Sequence, residues 1–107
     1  MPDMGRPTEL ADFREWPVEG LESLAFHFPV ADSKCGIYIL SFGDGARYVG
    51  KSLNAVRRFA DHRRRWNDIT SIAFKAYPSE DLGRQERAVL RSIESEGHHV
   101  RNLDLAG

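Results

Sequence analysis

Two tyrosines, Tyr38 and Tyr48, stand ten residues apart, and Lys51, Arg58 and His62 follow within fourteen residues of the second. These residue types suit chemistry on an anionic ester. A guanidinium presents a planar fork of donors to phosphate oxygens. An imidazole moves protons near neutral pH. A phenol beside positive charge can orient or deprotonate a water. One carboxylate, Glu86, falls on the apolar line of a later helical pattern, at i+4 from Leu82. A carboxylate there is costly unless it is paired or bound to a cation. Taken singly, each residue also has a plain structural reading: surface solvation for Arg58 and His62, and a boundary glutamate paired with a nearby arginine for Glu86.

The elements that must position these side chains are legible from periodicity. Gly36 to Phe42 is nearly continuous in apolar and aromatic residues, which predicts a central strand. Gly43-Asp44-Gly45 is a turn, and Ala46 to Gly50 a second strand. A three-residue loop pairs Phe42 with Ala46. It sets Tyr38 opposite Gly50, which leaves open space beside the ring, and Tyr48 opposite Leu40, so both tyrosines share a face. A two-residue Asp44-Gly45 turn slips the register by one and sends them to opposite faces. Ser52 or Asn54 caps a helix over roughly residues 54–66. Its core side is Val56, Phe59, Ala60 and Trp66, while Arg58, His62 and Arg65 stand on another side, away from that core. Ile69 to Tyr77 reads as a third strand. Ser79 caps a second helix with the stripe Leu82, Val89, Leu90 and Ile93, and Gly97 ends it. His98 and His99 in the tail are adjacent rather than at metal-ligand spacing and read as surface residues.

The charge is unevenly placed. Residues 1–35 carry seven acids against three bases, whereas residues 46–65 carry seven bases against Asp61 alone. A block this basic in a chain of net charge −1 is either a solvated helix face or the contact surface of an anionic partner, nucleic acid first, with Lys51, Arg57, Arg63, Arg64 and Arg65 as phosphate contacts. Residues 1–33 are expected to form an extension that packs over the core, with an acidic partner-binding or self-shielding surface as the alternative. Within it Thr8 caps a short helix through Trp16, ended by Pro17. Leu24, Phe26, Phe28 and Val30 then alternate as an extended segment that Pro29 confines to a sheet edge, and His27 is structural. The single cysteine, Cys35, cannot form an internal disulfide and reads as a small buried side chain. A reducing, cytoplasmic setting is therefore expected. No apolar run reaches the length of a membrane span, so no membrane partner is expected.

The residues then converge on a family. Gly36-Ile37-Tyr38 followed by Tyr48-Val49-Gly50 resembles the GIY-YIG nuclease signature, with Val49 in place of isoleucine. The likeness continues through Arg58, ten residues after the second tyrosine, His62 four later, Glu86 on a following helix and Asn102 in the tail. Lys51 is similar to the lysine found after the second tripeptide in the excision-repair branch. The resemblance covers residues 34–104, within a domain of residues 34–107. It implies an α+β fold: a small three-stranded antiparallel sheet flanked by helices, in the order strand, strand, helix, strand, helix. It also implies a metal-dependent endonuclease with Tyr38, Tyr48, Arg58, His62 and Glu86 as catalytic residues. Glu86 would hold one divalent cation, Mg2+ or Mn2+. Gly36, Gly50 and Asn102 would be structural at the site, with Asn102 pinning the tail to its wall. DNA is the default substrate over RNA. Sequence selectivity would have to come from a second copy of the chain or an attached larger protein. The alternative is a catalytically silent nucleic-acid-binding or interaction module on the same scaffold.

Overall fold

The apolar run Gly36–Phe42 is a central strand in the computed structural model of the protein, which describes residues 13–19 and 35–101. In chain order the elements are β1 (Arg14–Pro17), β2 (Gly36–Phe42), β3 (Arg47–Ser52), α1 (Ala55–Arg65), β4 (Ile69–Ala76) and α2 (Leu82–Ser95), with a short 3-10 turn at Ser79–Asp81 before α2. The strands form one antiparallel sheet in the order β1-β4-β2-β3. The fold is α+β. Among the described residues no helix is long and apolar enough to cross a membrane.

The expected sheet has three strands, and the one observed among the described residues has four. The additional strand comes from the extension, at a place where local pattern predicts the end of a helix. Arg14–Pro17 instead pairs with β4, Arg14 opposite Phe74 and Trp16 opposite Ile72. This pairing covers the outer edge of β4, packs Trp16 against the core and buries Val18 completely. Pairing with a distant strand outweighs the weak local helix preference. Pro17 is tolerated because β1 is an edge strand. The rest of the extension, including His27 and the alternating run from Leu24 to Val30, lies outside the described residues, as does Asn102.

Strand alternation sorts the side chains into two cores. Tyr38, Leu40, Phe42, Tyr48, Ile72 and Phe74 face Ala55 and Phe59 of α1. On the other face Ile37, Ile39 and Val49 pack with Leu82, Val89 and Ile93 of α2. Among the described residues the sheet is thus a middle layer with α1 on one side and α2 on the other.

The β2–β3 turn decides which residues share the α1 face. Gly45 N–H donates to the Phe42 carbonyl at 3.0 Å, and Phe42 N–H to the Ala46 carbonyl at 3.1 Å. Gly45 has φ +90°, the left-handed region where glycine is free of strain. The Asp44 carboxylate accepts from Ala46 N–H at 2.9 Å. This is the three-residue loop, and it sets Tyr38 opposite Gly50 and Tyr48 opposite Leu40.

Asn54 caps α1, its side chain accepting from Arg57 N–H at 3.2 Å. Ser79 does not cap α2 with its side chain, since the 3-10 turn intervenes and turns the chain into the helix. Beyond Gly97 the chain returns to β3: Arg47 N–H donates to the His99 carbonyl at 2.8 Å, and Val100 bridges to Arg47.

Candidate functional site

Tyr38 lies on β2 with only 1% of its surface exposed. Its ring extends over β3 at Gly50, where a Cβ would overlap Cζ and Oη of the phenol. Glycine here is a requirement of space, since its φ is not in the left-handed region. At Gly36 a Cβ would overlap the Lys75 carbonyl, so that glycine allows β2 and β4 to approach.

The Tyr38 hydroxyl meets His62 Nε2 at 2.7 Å. Tyr48 stands beside both, its ring centroid 6.2 Å from Tyr38 and 4.8 Å from His62. Trp66 stacks on the imidazole, 5.3 Å away and 13° from parallel, and also meets Tyr48 at 5.4 Å, so the three rings form one cluster. His62 is 4% exposed, which corrects the expectation that it faces away from the core. The buried stripe of α1 runs Ala55, Phe59, His62, at the steps of one helical face. Trp66 continues it past the end of the helix, half-buried. An imidazole can occupy that stripe because Tyr38 supplies its hydrogen bond.

Burial sets the protonation of this pair. Desolvation lowers the His62 pKa to about 4, with Arg58 and then Arg65 adding to the effect and Asp61 opposing it. Desolvation also raises the Tyr38 pKa well above its ordinary value; neighbouring Tyr48 adds to this, and Arg58 pulls the other way. At neutral pH the pair is therefore a neutral phenol and a neutral imidazole. In the tautomer with its proton on Nδ1, Nε2 accepts the phenolic proton.

On its His62 side the pair borders a pocket of about 200 Å3 lined by Arg58, Asp61, His62 and Arg65. Arg58 acts electrostatically on the Tyr38 phenol and makes an exposed pair with Asp61 at 3.6 Å. The remaining basic residues divide by role. Arg57 and Arg65 are exposed. Arg64 pairs with Asp61 at 2.9 Å. The Arg63 guanidinium donates to the carbonyls of Ile69 at 3.3 Å and Val18 at 3.2 Å, and so ties α1 to β4 and to the residue after β1.

Glu86 approaches from the α2 side. Its carboxylate, 26% exposed, lies 3.6 Å from Lys51 Nζ. Lys51 follows Gly50, so Glu86 and the Tyr38 hydroxyl flank one short stretch of β3. Among the described residues no hydrogen bond or ion pair joins Glu86 to Tyr38, Tyr48, Arg58 or His62. No three His, Cys, Asp or Glu side chains gather as a ready-made cation site among the described residues.

Cys35 is half-buried, and its thiol donates to the Tyr77 carbonyl at 3.3 Å. His98 lies 3.6 Å from Glu96, and His99 is exposed. Two residues at the site escape sequence reasoning. Trp66 reads only as core, although it stacks on the imidazole. Arg101, which holds Asp68 and Asp44, carries no periodic or motif signal. No protein family, curated protein or solved structure matches the chain.

Proposed function

We propose that the protein is a metal-dependent endonuclease of the GIY-YIG type, hydrolysing phosphodiester bonds of nucleic acid, DNA by default, with little sequence selectivity of its own. The observation that carries this reading is the convergence of Tyr38, Tyr48 and His62, from two strands and a helix, beside a basic pocket that His62 lines with Arg58 and Arg65, with Gly50 making room for Tyr38.

In this reading Arg58 and Arg65 receive the non-bridging phosphate oxygens at the pocket mouth. The raised Tyr38 pKa argues against a resident phenolate. Tyr38 instead works as a relay: its oxygen takes a proton from the attacking water while its own proton passes to His62 Nε2, 2.7 Å away. The imidazole is a weak base when the pocket is empty, because burial and Arg58 disfavour its cation. A bound phosphate counters Arg58 and Arg65 and favours the imidazolium, so the substrate strengthens its own base. Tyr48 packs against the imidazole and keeps water from that side.

Glu86 fits the role of holding a largely hydrated Mg2+ or Mn2+. It is partly exposed, and its one ion pair among the described residues is beyond hydrogen-bond length. When bound, such an ion would polarise the phosphate and stabilise the leaving oxygen. Lys51, released from Glu86, would turn to the nucleic-acid backbone.

The separation of Glu86 from the Tyr38–His62 pair favours the second reading, a binding module that does not cleave. Incubating the protein with magnesium or manganese and a panel of duplex and single-stranded DNA and RNA separates the two. Nuclease action predicts cleavage by wild type that chelation stops and Glu86→Ala loses. Binding to the panel without cleavage, unaffected by Glu86→Ala, would establish the module instead.

A further inference from the structure

The chain beyond α2 brings Arg101 to the β2–β3 turn and to the connection between α1 and β4. Its guanidinium reaches the Asp68 carboxylate at 2.8 and 3.4 Å and Asp44 at 3.3 Å. The same group lies 3.7 Å from the centroid of the Phe42 ring and 5.6 Å from that of Trp66. Its side chain is 15% exposed. Phe42 meets Trp66 edge to face at 5.1 Å, and Trp66 in turn stacks on His62. An unbroken series of contacts therefore runs from the tail to the bond between His62 and Tyr38.

We propose that Arg101 is a positioning residue for the Tyr38–His62 pair, fixing Trp66 from the tail and, through the Trp66 ring, the plane of the His62 imidazole. The proposal rests on the reading of that pair as the reaction centre. The terminal torsion of histidine is broad and roughly two-fold, so helix geometry alone does not aim Nε2. A ring held parallel to the imidazole fixes its plane, and within that plane the Tyr38 hydroxyl selects Nε2. Trp66 caps the C-terminus of α1, its N–H donating to the His62 carbonyl at 2.8 Å, but its backbone is extended, so helix geometry does not set its ring and the packing around the ring does. Arg101 fastens this connection through Asp68, fastens the hairpin turn through Asp44, and covers the two rings with its plane. Arginine suits the task because one planar group can bridge carboxylates and stack on rings together, which a lysine ammonium cannot do.

The test uses the full chain with Arg101→Ala, Arg101→Lys and Trp66→Leu, each compared with wild type. The readouts are melting temperature, the imidazole nitrogen signals of His62 through a pH titration, nucleic-acid affinity, and single-turnover cleavage. Both Arg101 variants are expected to shift the His62 signals and raise its titration point toward an ordinary imidazole. They should slow the cleavage step by roughly tenfold to a hundredfold with affinity unchanged. Trp66→Leu should do the same, although it leaves the ion pairs of Arg101 in place. The proposal is overturned if Arg101→Ala lowers the melting temperature but moves neither the His62 signals nor the cleavage rate. It is also overturned if Trp66→Leu leaves the His62 signals where they are in wild type. If Arg101→Ala does not fold, Arg101→Lys, which keeps a cation beside Asp68, decides the question. If wild type cleaves nothing, the nuclease reading fails, and the His62 signals still decide the positioning.

Discussion

Replacing His62 by glutamine should remove a large part of the acid sensitivity of the fold. The unfolded imidazole titrates at 6.5, and the folded one at about 4, because folding buries it among Tyr38, Tyr48 and Trp66. Above pH 6.5 the imidazole is neutral in both states and stability is complete. As pH falls below 6.5 the unfolded chain binds a proton that the native state refuses, so stability declines until the native imidazole also protonates near pH 4. At about 1.4 kcal/mol for each tenfold in proton affinity, the full difference is about 3 kcal/mol. A domain whose total stability is about 5–15 kcal/mol feels that loss strongly. Arg58 and Arg65, on the same helix, stay charged throughout and sustain the penalty, while Asp61 opposes it. Tyr38, facing from the sheet with its pKa raised by burial, is a neutral phenol in this range, and the Tyr48 ring packs beside the imidazole. Glutamine keeps an amide within reach of the Tyr38 hydroxyl and cannot titrate. Urea unfolding from pH 7.5 to 4.5 should therefore show wild type losing about 2–3 kcal/mol more than His62→Gln. His98 and His99 are present in both proteins and cancel. Parallel stability curves would refute the buried neutral imidazole and, with it, the proton relay.

Gly50→Ala should destabilise the fold by about 1–3 kcal/mol, because the new methyl overlaps the buried Tyr38 ring. Gly43→Ala, where a Cβ meets nothing within 4 Å, is the matched control for thermal melts and should be nearly neutral. Equal melting temperatures for the two variants would contradict the packing described. Arg65→Ala should reduce the slope of log affinity against log salt by about 1 in fluorescence anisotropy with DNA. Arg63→Ala should leave that slope unchanged and lower stability instead, since its guanidinium holds the Ile69 and Val18 carbonyls. An equal flattening by both variants would show that Arg63 also contacts phosphate.

The hairpin is a local matter, and the sequence by itself determined it. Alternation and the Gly-Asp-Gly turn narrow the pairing to two registers, of which only the three-residue loop, with Gly45 at positive φ and Asp44 closing it, buries Tyr38 and Tyr48 together. The caps of α1 and the glycine ending α2 are equally local. Three features were decided only by the tertiary structure. β1 exists because β4 offers an open edge, whereas its own residues carry only a weak helical preference. His62 becomes a buried base because a tyrosine from another strand satisfies it, and helix periodicity does not report that a partner will be there. Arg101 joins the site because the tail returns along β3 to two aspartates contributed by separate loops. Periodicity and caps encode contacts within a few residues. Burial of a polar side chain depends on what the folded sheet places opposite it.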